Sequence, residues 1–205
     1  ARVDEHTPLQ PNSRKGRLRQ AMEDEMADRA AGGLRSVVIR AGDFFGGPGR
    51  GSWFDTVIVK SLRRGKLVYP GPLDVPHAWA YLPDLAQVFV QVAAQHRSWQ
   101  GHRQLPFGGH HFTGRELLTG IEAAASALAL APNRLWRHSN LPWGFIRALS
   151  PLVPMWREIT EIAHLWHESH TLDGAALQTL AGPLPHTPAP EALQQTLRHL
   201  FININ

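Results

Sequence analysis

Residues 14–46 read RKGRLRQAMEDEMADRAAGGLRSVVIRAGDFFG. Leu18, Met22, Met26 and Ala30 recur every fourth residue, which places them along one face of a helix over 14–31. Gly32 and Gly33 stop that helix. The run Leu34–Ala41 that follows is short and rich in β-branched residues, and it predicts a buried strand. A glycine-rich loop, Gly42–Gly51, comes next. Helix, double glycine, buried strand and glycine loop in that order predict an α/β unit.

Outward from this stretch, residues 1–12 are polar, carry two prolines and read as loop. On the other side, Trp53, Phe54, Val57, Ile58 and Leu62 predict an amphipathic helix ending at Gly65, and Leu67–Tyr69 a short strand. Trp79–Leu82 leads through Pro83-Asp84 into a helix lined by Leu85, Val88, Phe89 and Val92. A strand is expected near Arg103–Phe107. Thr113 with Glu116 three residues on forms a capping box for the helix that follows. The last third reads as helices over Leu141–Leu149 and Met155–Trp166, a short helix capped by Asp173 and stopped by Gly182, and a final helix with Pro190 in its first turn. Strands are few, and the sheet looks under-supplied for an α/β chain of 205 residues.

Composition narrows the classes. The chain is 43% hydrophobic and 19% charged, and its length suits one medium domain with a sizeable core. It holds no cysteine, which excludes a disulfide scaffold, thiolate metal sites and a cysteine nucleophile, and fits a reducing, cytoplasmic setting. No uncharged apolar run approaches the roughly 20 residues of a membrane span. The net charge of +4 is mild, and the basic stretch Arg14–Arg19 is followed at once by Glu23-Asp24-Glu25, so no nucleic-acid partner is expected. The chain opens on Ala1 rather than Met, and an upstream portion is expected.

The order of segments resembles the C-terminal part of an extended short-chain dehydrogenase/reductase of the NAD-dependent epimerase/dehydratase type. The stretches that carry the resemblance are Pro8–Glu23, Val37–Gly46, Arg64-Gly65-Lys66, Trp79–Ala86 and Leu172–Leu197. The resemblance implies the remainder of a Rossmann-like parallel sheet plus a mainly helical C-terminal substrate domain. Residues 1–46 and 76–100 would belong to the former, 47–75 and 101–205 to the latter. It also implies NAD or NADP as cofactor, a small-molecule substrate such as a nucleotide sugar, and a homodimer formed through helices that include the one like 14–31.

Two departures qualify it. No glycine fingerprint for a dinucleotide diphosphate follows a strand; Gly46–Gly51 is not one, and it lacks the Lys-Ser/Thr of a phosphate loop. In the family that fingerprint lies in the N-terminal half, which is expected to be missing here. Second, the family's Tyr-x-x-x-Lys pair aligns with Lys15 and Arg19, and neither Tyr69 nor Tyr81 has a lysine four residues on. Lys15 is the candidate acid/base in place of the tyrosine, provided its pKa falls well below the usual lysine value. The resemblance places Arg19, Arg40, Ala41 and Gly42 at the cofactor, and Asp43, Phe44 and His77 at the substrate. Asp84 reads as a helix N-cap. His164, His167 and His170 recur every third residue, but there is no His-Glu-x-x-His and no evident third ligand, so no metal site is expected. Two readings follow: an NAD(P)-dependent oxidoreductase or epimerase, and a non-catalytic dinucleotide-binding sensor or scaffold of the same fold.

Overall fold

The computed structural model describes residues 2–47 and 51–202. A two-residue strand, β1 (Arg2–Val3), precedes α1 (Arg14–Ala30), whose N-cap Ser13 accepts a hydrogen bond from the Gly16 amide. The apolar stripe on α1 faces outward: Leu18 is 63% and Met22 48% exposed. The residue α1 buries is Glu23, because Arg40 waits for it underneath.

β2 (Ser36–Arg40) and β3 (Asp43–Phe45) are separated by Ala41-Gly42. The chain can pass here only with glycine, since a Cβ at Gly42 would lie 2.1 Å from the carbonyl oxygen of Ala78. Pro48–Arg50, at the heart of the expected glycine loop, lie outside the described residues.

The amphipathic helix expected between Trp53 and Gly65 is instead one turn of π-helix, Phe54–Ile58, and one turn of 3₁₀-helix, Leu62–Arg64. Val59 donates its amide to Phe54, and this wider turn buries Phe54, Ile58, Val59 and Leu62 together. A regular α-helix would spread those four over more of its circumference.

β4 (Lys66–Tyr69), β5 (Pro76–Tyr81) and α2 (Leu82–Ala94) follow, then β6 (His102–Pro106), β7 (His110–Thr113) and α3 (Gly114–Ala127). Thr113 and Glu116 close the expected capping box on α3. Beyond it lie β8 (Arg137–Asn140), α4 (Trp143–Leu149) and α5 (Pro154–Glu161). The helix expected over Met155–Trp166 breaks at Ile162 into α5 and a 3₁₀ turn, Ala163–Trp166, which turns Trp166 inward to 2% exposure. β9 (Thr171–Leu172), α6 (Ala175–Ala181) and α7 (Ala189–Phe201) complete the chain.

The architecture is α/β, and most pairing is parallel. β2 pairs with β6, β3 with β5, β4 with β8 and β1 with β9, all in parallel, while β7 runs antiparallel to β5. In the β2–β6 ladder His102–Pro106 supplies the parallel neighbour of β2, in register Ser36↔His102. β5 serves two cores on its two faces, as a strand's alternation allows. Trp79 and Tyr81 pack with Phe45, Phe54, Leu118 and Leu197; Ala80 packs with Leu85, Val88, Leu105 and Leu177.

Candidate active site

The short strand β3 sets Asp43 and Phe45 on one side and Phe44 on the other. Asp43 pairs in register with Trp79, and His77 lies two residues before it on the same face of β5. The two side chains meet: His77 Nε2 donates to Asp43 Oδ2 at 2.6 Å. A carboxylate only accepts, so Nε2 carries the hydrogen and Nδ1 of the neutral ring keeps a lone pair. The His77 side chain is 4% exposed and that of Asp43 33%, so the pair reaches from the interior toward solvent.

Aromatic rings fix the histidine in place. Trp166 stacks on it at 4.2 Å between centroids and 3° between planes. Trp79 meets it at 5.4 Å and His170 at 4.6 Å, both steeply inclined. Trp166 also meets Tyr69 and Trp53 edge to face. Burial, with the negative charge of Asp43 adding to it, pushes the Tyr69 hydroxyl up, so it stays a neutral donor. Desolvation is the main cause that lowers His170, with the charge of His77 a smaller one.

Of the residues expected at the substrate, Asp43 and His77 are brought together and Phe44 is not. Phe44 is 43% exposed on the opposite side of β3. Lys15 lies on α1 with its side chain 67% exposed, and its amine pairs with Glu158 of α5 at 2.6 Å. Of the residues expected at the cofactor, Arg40 gives its guanidinium to Glu23 at 2.6 Å and to Gln104 at 2.5 Å. Gly42 is packed on the Ala78 carbonyl, and Ala41 is half-buried. Arg19 is exposed and forms no ion pair among the described residues. Arg19 is thus the one of these residues that offers an unpaired cation to a phosphate.

Asp84 does not cap α2. It sits in the first turn and accepts from both the amide and the hydroxyl of Thr187, at 2.7 Å each, tying the loop before α7 to α2. His110 and His111 point to opposite sides of β7. His111 Nε2 accepts from the Leu172 amide, whereas His110 stacks on Phe112 beside His186. His164 lies in the 3₁₀ turn, His167 caps its end and His170 lies beyond it, and no group of three metal-ligating side chains occurs among the described residues. Cavities of about 400 and 360 Å³ open elsewhere, the first between α3 and α7 and the second beside α6; Asp43 and His77 line neither.

Tyr69 and His170 join this site with no motif to mark them. For Trp166 and His170 the one sequence signal is the aromatic and histidine density of the last third, which does not say what it packs against.

No family model and no curated protein matches the chain. Solved structures do. UDP-glucose 4-epimerase from Bifidobacterium longum, in complex with NAD+ and UDP, superposes with a TM-score of 0.70 at 12% identity, over 98% of this chain and 58% of that one. The chain has its fold. dTDP-glucose 4,6-dehydratase from Bacillus anthracis, in complex with NAD, gives 0.67 at 15% identity over 99% of this chain and 57% of that one. L-threonine dehydrogenase from Phytophthora infestans gives 0.67 at 14% identity over 96% and 62%. This chain thus spans less than two thirds of the length of each. An epimerase, a dehydratase and a dehydrogenase share the architecture, so the architecture does not choose among reactions.

Proposed function

We propose that the chain is the substrate-side portion of an NAD(P)-dependent oxidoreductase or epimerase, acting on a hydroxyl or carbonyl carbon of a nucleotide sugar or a related compound. The observation that carries this reading is the Asp43–His77 hydrogen bond, set just beyond the end of β2 and walled by Trp166, Trp79 and Tyr69. In parallel α/β sheets ligands gather at the carboxyl ends of strands. The neighbours include structures solved in complex with NADPH, with NAD, and with NAD+ and UDP.

When bound, the nicotinamide would supply the hydride chemistry. The chain's own residues do the rest. Asp43 holds the His77 ring in one tautomer, His77 presents Nδ1, and Tyr69 offers a neutral hydroxyl. Trp53, half-buried beside Trp166, gives a sugar or base an apolar face to rest on. Arg19 is the open cation for a phosphate or ribose, and Lys15 reaches a substrate only by leaving Glu158.

Tryptophan fluorescence titrated with UDP-galactose, dTDP-glucose, NADH and NADPH tests the reading. A saturable change with a nucleotide sugar, lost in His77→Ala, is expected. No response to any of the sugars would overturn it. The sensor reading is favoured by one observation, the exposed ion pair that occupies Lys15. Sugar or dinucleotide binding with no turnover of any carbonyl or carbinol substrate would select it.

A further inference from the structure

The family's tyrosine acid/base has no counterpart at Lys15, yet the site holds a second histidine beside His77. We propose that His170 is the proton acceptor of this site, presenting Nε2 as a free lone pair to a substrate hydroxyl. The inference rests on the reading above for its substrate and on geometry for its chemistry.

His170 Nδ1 lies 3.0 Å from the carbonyl oxygen of Glu168. A carbonyl cannot donate, so Nδ1 carries the hydrogen and Nε2 must be the acceptor nitrogen. No hydrogen bond to Nε2 occurs among the described residues, and the ring is only half-buried. The local fold sets this tautomer, because Glu168 is two residues away on the same turn.

The ring is also kept neutral. Its pKa is lowered chiefly by burial, with the Glu168 hydrogen bond and the Asp43 charge opposing and the His77 charge assisting. The groups that face it are His77 of β5, Asp43 of β3 and His111 of β7. Two histidines thus divide the work. His77 has its hydrogen committed to Asp43, while His170 has its hydrogen committed to backbone and its lone pair open. Pairs of titratable groups in contrasting environments are how acid and base roles are separated. In the step itself a substrate O–H bond breaks and an Nε2–H bond forms, leaving an alkoxide and an imidazolium. The nearby Asp43 carboxylate offsets the new positive charge.

The test needs neither sugar nor dinucleotide. Long-range ¹H–¹⁵N NMR of the histidine side chains, assigned with His170→Asn, reads the tautomer and titration of His170 directly. Protonated Nδ1, bare Nε2 and a midpoint below 6.5 are expected. Diethylpyrocarbonate, which acylates only unprotonated imidazole nitrogen, should label the His170 peptide at neutral pH and slow as pH falls through that midpoint. A hydrogen on Nε2 or an unlabelled His170 would each overturn the inference. A failed nucleotide-sugar titration would instead overturn the proposed substrate, and these readouts would still decide the state of the ring.

Discussion

His110 shows what a single buried ring does to acid stability. It is 6% exposed, and its Nε2 has no hydrogen-bond partner among the described residues. Burial above all, then the charge of His186, lowers it from 6.5 to about 4. The unfolded chain therefore takes up this proton first as pH falls. Stability should drop between pH 6.5 and about 4 and level off below, where both states are protonated. Thermal melts across that range should show the fall, and His110→Phe should flatten it. Asp43 and His77 are each legible in the sequence as polar residues beside a strand end. Their contact is not, since 34 residues separate them and only the β3–β5 register brings them together.

Among the elements, α1 was placed correctly along the chain, but its apolar stripe does not face the core. Leu18 and Met22 made the periodic stripe, yet the residue that anchors the helix is Glu23, bonded to Arg40 with side chains only 8% and 17% exposed. Periodicity finds apolar faces. It does not see a buried ion pair whose partner lies on the next strand. Removing one member of such a pair strands the other, so Glu23→Ala should cost about 3 kcal/mol in a urea melt. Lys15→Ala should leave the same melt where it was, because the Lys15–Glu158 pair is exposed on both sides. Double-mutant cycles on the two pairs would separate them cleanly. Gly42 makes a second case. The sequence marked it as loop, but a methyl there would meet backbone at Ala78, which cannot swing aside. Gly42→Ala should weaken the β3–β5 pairing and cost about 1–3 kcal/mol. The same variant should broaden the His77 NMR signals, since Asp43 rides on that strand.

For the whole molecule, the α/β class was legible from the helix, strand and glycine order, and the similarity to solved epimerases and dehydratases accords with it. What the sequence could not show was that β6 returns to β2, a pairing made across 66 residues. The outward face of Leu18 and Met22 is where a homodimer through α1, as the resemblance implies, would close. In analytical ultracentrifugation, Leu18→Glu with Met22→Glu should give a lighter species than the unchanged chain. Equal masses would remove α1 from the interface.

The link between α5 and the start of α1 has its own consequence. Asn12 bonds His164, the Arg14 amide bonds Glu161, and Lys15 pairs with Glu158, all at exposed positions. Water and small ions reach every one of these contacts, and screening shortens to roughly 3 Å at 1 M salt. The helical segment that delivers Trp166 to His77 is thus fastened on its outer side by contacts that brine loosens and the core does not feel. Ionic strength becomes a dial on this one hinge: amide exchange over residues 154–166 should quicken with added salt while β5 stays protected.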